Sequence, residues 1–172
     1  MRRKEWNRMN HYTTDEMKRF NHLVSETDAA YHEAALRMGM SDSAMQILYI
    51  LCDSGGDCPL GKICNLSGTS KQTINSSLRK LEEEEIVYLE GMGGKRKRVC
   101  LTEKGRGLAE RTVVQLIEIE NNILDSWSKE ELEKYLELTE RYLLALREKI
   151  GGLGGEADSR SGPSAAGREV LK

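Results

Sequence analysis

Residues 66–102 read LSGTSKQTINSSLRKLEEEEIVYLEGMGGKRKRVCLT. The stretch reads as a helix followed by a basic β-hairpin. Ile74, Leu78 and Leu81 stand at i, i+4 and i+7, which lays one helix face on a core. At about 100° per residue, Gln72, Asn75, Ser76 and Arg79 fall on the opposite face. That face is small and polar and carries no bulky apolar group. It suits base edges and phosphates in a major groove. Beyond the turn glycines Gly91, Gly93 and Gly94, the hairpin carries Lys95, Arg96, Lys97 and Arg98.

A formal net charge of -2 over 172 residues does not suggest a nucleic-acid binder. The total hides an asymmetry. Between Gly91 and Arg106 six basic residues stand against one acid, Glu103, whereas acids dominate from Glu118 to Glu148. A positive patch on a mildly acidic body can supply the counterion-release part of DNA affinity. The length fits one domain, or one domain with extended arms. No apolar run approaches the roughly 20 residues that span a bilayer, so no membrane partner is expected. The basic start, MRRKEWNRMN, lacks the apolar core of a signal peptide. The expected location is cytoplasmic, with the four cysteines as thiols.

Working outward, a short helix beginning at Pro59 ends at Gly68, and Thr69 or Ser70 caps the helix that follows. A short helix, a glycine turn and a second helix make a helix-turn-helix. Strands at Ile86–Glu90 and Arg98–Leu101 add a wing. Upstream, Ser41 or Asp42 caps a helix whose run from Met45 to Cys52 is central core, stopped by Gly55 and Gly56. Before it, Asp15 can cap a helix reaching about Met38, with apolar marks Met17, Phe20, Leu23, Val24, Tyr31, Ala34, Ala35 and Met38. Such a helix would span roughly 36 Å, long for a compact monomer, and suggests a dimer arm. Gly39 ends it. Downstream, Thr102 caps one long helix with the stripe Leu108, Thr112, Val113, Leu116, Ile117, Ile119, Ile123 and Leu124. Ser128 with Glu131 makes a capping box for a last amphipathic helix to about Ile150. The expected fold is mainly α with a small β-hairpin, a winged helix-turn-helix plus long N- and C-terminal dimerisation helices. Its divisions are a flexible N-terminus (1–12), an N-terminal dimerisation helix (13–40), the winged domain (41–106), C-terminal dimerisation helices (107–150) and a Gly- and Ser-rich disordered tail (151–172).

This order of elements, with Ser70-Lys71-Gln72-Thr73-Ile74, Leu78-x-x-Leu81-Glu82, Ile86-Val87 and Val99-Cys100-Leu101-Thr102-Glu103-Lys104-Gly105, resembles the MarR family, the multiple-antibiotic-resistance regulators. The resemblance covers roughly residues 15–150. It implies a homodimer with intertwined first and last helices, whose two winged domains bind a pseudopalindromic operator in double-stranded DNA. It implies a transcriptional repressor released by a small-molecule effector. Three departures stand out. The family often carries Arg where this chain has Ser76. Its wing usually has Asp-x-Arg, where this chain has Gly93-Gly94-Lys95, which passes the tip contact to Arg96 or Lys97. Its recognition helix usually ends at Gly, where this chain has Glu85. A left-handed Glu85 would cost about 1 kcal/mol, unless the helix ends differently.

The expected DNA contacts follow. Lys62, Ser70, Lys71 and Thr73 suit phosphates near helix starts. Gln72 and Asn75 suit adenine, and Arg79 a guanine or a phosphate. Ser76 shares their face. Lys95, Arg96, Lys97 and Arg98 form the wing, with Arg96 and Lys97 placed to enter a minor groove. By position in the family cleft, Tyr31, His32, Tyr49 and Cys52 are candidates to line a ligand pocket, against a bland reading as core. Cys58, in a Gly-Asp-Cys-Pro turn before a helix, is a candidate redox thiol if exposed. Cys52, Cys58 and Cys64 recur at a spacing wrong for zinc, so no metal is expected. No nucleophile–base–acid set or phosphate loop appears, so neither an enzyme nor a cofactor is expected. The competing readings are a thiol-based redox-responsive regulator and a winged-helix protein-interaction module.

Overall fold

A computed structural model describes residues 13–153. The expected flexible N-terminus and nearly all of the expected tail lie outside the described residues. The elements in chain order are α1 (Asp15–Arg37), α2 (Asp42–Asp53), β1 (Asp57–Pro59), α3 (Leu60–Leu66), α4 (Lys71–Glu83), β2 (Val87–Gly91), β3 (Lys97–Leu101), α5 (Glu103–Arg111), α6 (Val113–Asp125) and α7 (Lys129–Gly151). Mainly helical architecture with a small sheet matches the expected fold class. Two compact units divide the chain, one ending at Asn121 and one beginning at Asn122.

In the first unit, the apolar run of α2 is the centre of the core. Ile47, Leu48 and Leu51 are fully buried, joined by Ile63 of α3, Ile74 of α4, Val99 of β3 and Val113 of α6. Each such side chain contributes about 1.5–3 kcal/mol when taken from water. The periodicity of α4 is met by Ile74, Leu78 and Leu81, with Ser77 as a fourth buried residue. Ser77 escapes notice in sequence because it is polar; its hydroxyl meets that of Ser43 on α2 at 2.6 Å. The caps resolve as Thr14 for α1, Ser41 for α2, Ser70 for α4 and Thr102 for α5. Asp15 is therefore a first-turn residue instead of the cap, and it pairs with Lys18 at 2.7 Å.

Two expectations need correction. The single helix expected after Thr102 is interrupted at Thr112, whose backbone turns to φ -131° and ψ -93°. Thr112 opens a β-branched run with Val113 and Val114, and its hydroxyl donates to the Leu108 carbonyl at 2.7 Å. Both features disfavour straight helix. The Gly-Asp-Cys-Pro segment, expected as a turn, contains a strand. The sheet order is β1-β3-β2, all antiparallel, with Cys58 opposite Val99 and Leu89 opposite Val99 on the other side. A three-residue strand ending in proline has no readable alternation, and it exists only because β3 offers an edge.

The junction of α4 with the wing explains the Thr102-Glu103-Lys104-Gly105 motif. Glu85 takes φ 59°, the left-handed region where glycine is favoured. The turn leaves the last carbonyls of α4 pointing at the start of α5. Lys104 Nζ donates to the Glu84 carbonyl at 2.7 Å, and the Thr102 hydroxyl donates to the Glu85 carbonyl at 2.6 Å. The Thr102 amide donates to the Ile86 carbonyl at 3.1 Å. Gly105 is buried against that same carbonyl, which a Cβ would strike.

In the second unit, α7 begins with the expected capping box of Ser128 and Glu131. Trp127 and Tyr135 meet edge to face at 5.2 Å between ring centres. None of the α7 side chains is buried, and Tyr135, Leu136, Tyr142, Leu143, Leu146 and Ile150 are exposed along its apolar stripe.

Two substitutions test the junction by urea unfolding. Gly105→Ala should destabilise the protein by about 1–3 kcal/mol, the usual cost of forcing a methyl into occupied space. Glu85→Gly should stabilise it by up to about 1 kcal/mol by relieving the left-handed strain.

Candidate functional site

The helix-turn-helix is α3, the turn Ser67–Ser70 and α4. Gly68 takes φ 61° in the turn. The turn hangs on α2: Gln46 Nε2 donates to the Ser67 carbonyl at 2.6 Å, and the Thr69 hydroxyl donates to Gln46 Oε1 at 3.1 Å. Ser70 then caps α4, accepting from the Thr73 amide at 3.1 Å, with its hydroxyl 2.9 Å from that of Thr73. With its apolar face held on the core, α4 presents Lys71, Gln72, Thr73, Ser76 and Arg79 exposed and Asn75 half-buried. Lys62 is exposed on α3.

The wing is the β2–β3 hairpin. Its tip closes through the Met92 amide on the Arg96 carbonyl at 3.0 Å, with Gly93 and Gly94 at positive φ. Lys95, Arg96 and Lys97 are exposed there. A groove of about 580 Å³ between α3 and the tip brings these three together with Lys71, with Cys64 and Met92 in its walls. None of Lys62, Lys71, Arg79, Lys95, Arg96 and Lys97 has an ion-pair partner among the described residues. Arg98 stands apart from this set. It is half-buried, 2.7 Å from Asp57 of β1. Asp57 was not singled out in sequence, since its pairing depends on a strand that is not legible there.

A second concavity, of about 460 Å³, lies among α1, α2, α6 and the turn. Three of the four residues expected in a ligand pocket line it: Tyr31, His32 and Tyr49. Cys52 does not; it is half-buried and packs on the core. Burial pushes its thiol pKa up, against the opposing pull of Arg106. The cavity adds Asp28, Asp42, Met45, Gln46, Thr69, Leu116 and Glu120. Tyr31 and Tyr49 donate their hydroxyls to the two oxygens of Glu120, each at 2.5 Å. Burial, and then the adjoining Glu120 carboxylate, pushes the Tyr49 phenol above its ordinary range, so it remains a donor. His32 Nδ1 lies 2.8 Å from Asp42. Glu120 could have been suspected as a carboxylate one turn beyond Leu116 on an apolar stripe. Asp28 and Gln46 carried no such signal.

All four cysteines are free. Cys58 is fully buried in β1, against the exposure expected of it. The strand pairing with β3 turns its side chain into the core, so it lacks the accessibility that a reactive thiol needs.

A helix-turn-helix with a basic hairpin folded beside its second helix is a winged helix. Residues 38–98 match the model of the MarR family. Among solved structures, MepR of Staphylococcus aureus in complex with DNA is 20% identical at a TM-score of 0.60, covering 79% of this chain and 99% of its own. A MarR family regulator from Neisseria meningitidis is 11% identical at a TM-score of 0.71, covering 80% and 98%. PcaV of Streptomyces coelicolor, in complex with its natural ligand, is 17% identical at a TM-score of 0.58, covering 78% and 99%. At these identities the likeness is one of fold. No curated protein sequence matches the chain.

Ser70→Ala removes the cap that starts α4. It should lower stability by about 1 kcal/mol, measured as a reduced urea midpoint at unchanged slope.

Proposed function

We propose that the protein is a homodimeric, sequence-specific reader of double-stranded DNA that represses transcription in the cytoplasm until a small-molecule effector binds. The observation that carries this reading is the exposed polar face of α4 set beside cations without ion-pair partners. Lys62, Ser70, Lys71 and Thr73 would take phosphates. Gln72 and Asn75 would read adenine, Arg79 a guanine or a phosphate, and Ser76 lies on the same face. Arg96 and Lys97, flanked by Lys95, would enter a minor groove. Arg98 would keep the base of the wing on Asp57 and leave contact to the tip.

Homodimerisation is supported by apolar surface on the two long helices. Phe20, Leu23 and Val24 of α1 are 41–55% exposed, and the α7 stripe is similarly open. Contiguous apolar surface of this kind marks an association face. A symmetric dimer places two recognition helices on related half-sites, so the operator would be pseudopalindromic. The repressor role and release by an effector are supported by the match of residues 38–98 to the MarR family model, and by likeness in fold to MepR, solved with DNA, and to PcaV, solved with its natural ligand.

Selection of bound sequences from random duplex DNA tests the reading. A pseudopalindrome with half-sites about one helical turn apart is expected. Replacing Lys95, Arg96 and Lys97 by alanine should weaken all sequences alike and flatten the salt dependence by about two to three phosphate contacts. Gln72→Ala should relax the choice at one base pair by about 1–3 kcal/mol. No enrichment, with binding insensitive to salt, would replace DNA by a protein partner.

A further inference from the structure

The 460 Å³ cavity combines three kinds of wall. Tyr31 and Tyr49 supply aromatic surface, and Met45 and Leu116 supply apolar surface. Asp28, Asp42 and Glu120 supply carboxylates, and among the described residues no Lys or Arg lines the cavity. His32 partners Asp42, which leaves Asp28 and Glu120 without a cationic partner among the described ion pairs. Glu120 is held in place by two tyrosine hydroxyls, and each of its oxygens keeps a lone pair for another donor. A fixed carboxylate between aromatic side chains favours a cation and disfavours an anion. A bare metal ion is not favoured, because no group of three or more His, Cys, Asp or Glu among the described residues is arranged to hold one.

The cavity also touches the DNA-reading element. Gln46 and Thr69 line it, and the same two side chains suspend the turn that precedes α4. An occupant that draws on the Gln46 amide therefore competes with the Ser67 carbonyl and the Thr69 hydroxyl for it.

We propose that this cavity takes an amphipathic organic cation, a protonated amine on an aromatic body, and that its occupancy reaches the recognition helix through Gln46. The ammonium sits at Glu120 and Asp28, and the aromatic body lies over Met45 and Leu116. The inference rests on reading the cavity as the effector site of a DNA-binding regulator.

Calorimetric titration of the full chain with tryptamine, indole-3-propionate and tryptophol separates charge from shape, since the three share one ring system. Tryptamine should bind, with the anion and the neutral alcohol at least about tenfold weaker, one charge-assisted contact being worth that much. Glu120→Gln and Tyr49→Phe, each checked for an intact thermal transition, should both weaken tryptamine. Preference for the propionate, binding of the three alike, or binding of none would overturn the proposal.

Gel-shift titration on the selected operator then reads the coupling. Tryptamine should lower operator affinity of the wild type, and the effect should shrink in Gln46→Leu. An undiminished effect in that variant would remove Gln46 from the route. Selective DNA binding without tryptamine binding would sink only the cation inference. Tryptamine binding by a chain that selects no DNA would sink the regulator reading.

Discussion

The three carbonyls that follow α4 control what the rest of the winged domain can do. Glu84, Glu85 and Ile86, where the chain leaves the recognition helix, each present a carbonyl that the helix itself does not pair. Thr102 and Lys104 satisfy all three from the far end of the hairpin. The closure fixes where β3 returns, and so where the wing tip stands relative to the exposed face of α4. Close packing of Gly105 on Ile86 permits it, and the left-handed turn at Glu85 is its cost.

The opposite end of α4 is held by weaker means. Hydrogen bonds from one glutamine and one threonine suspend the turn before Ser70, where the far end has backbone pairing and a tight glycine contact. The recognition helix is thus held by backbone pairing beyond its C-terminus and by side-chain hydrogen bonds before its N-terminus, where its candidate phosphate-binding residues lie. Hydrogen bonds that a ligand can compete for are a natural point of control, because a net protein hydrogen bond is worth only about 1 kcal/mol. Charge follows the same division. Cations gather on the groove beside the wing, and carboxylates gather in the cavity beyond α2.

Burial sorts the residues that chemistry alone left ambiguous. Cysteines at 58 and 100 are core, and the half-buried Cys52 is a packed thiol with its pKa raised by burial. Arg98 was one of four basic residues in a row, yet it is half-buried and paired with Asp57 while Lys95, Arg96 and Lys97 stay exposed. The apolar residues of α1 and α7 take the opposite course. Their spacing is that of buried helices, but Phe20, Leu23 and Val24 of α1 and the stripe of α7 remain exposed, which turns the same pattern into an argument for a second chain.

Local signals were enough for much of the architecture. Helical spacing in α2 and α4, the Ser41, Thr102 and Ser128 caps and the glycines of the wing each depend on neighbours a few residues away, so they can be read along the chain. The exposed face of α4 followed for the same reason, since burying Ile74, Leu78 and Leu81 leaves Gln72, Ser76 and Arg79 outside. What the tertiary structure decided are contacts between distant segments. Strand β1 needs the edge of β3, the burial of Cys58 needs that strand, and the Arg98 partner comes from it. The cavity is the clearest case: Tyr49 and Glu120 stand 71 residues apart and share one hydrogen bond. Periodicity and caps carry no information across that distance, because such a contact is selected by the packing of whole helices.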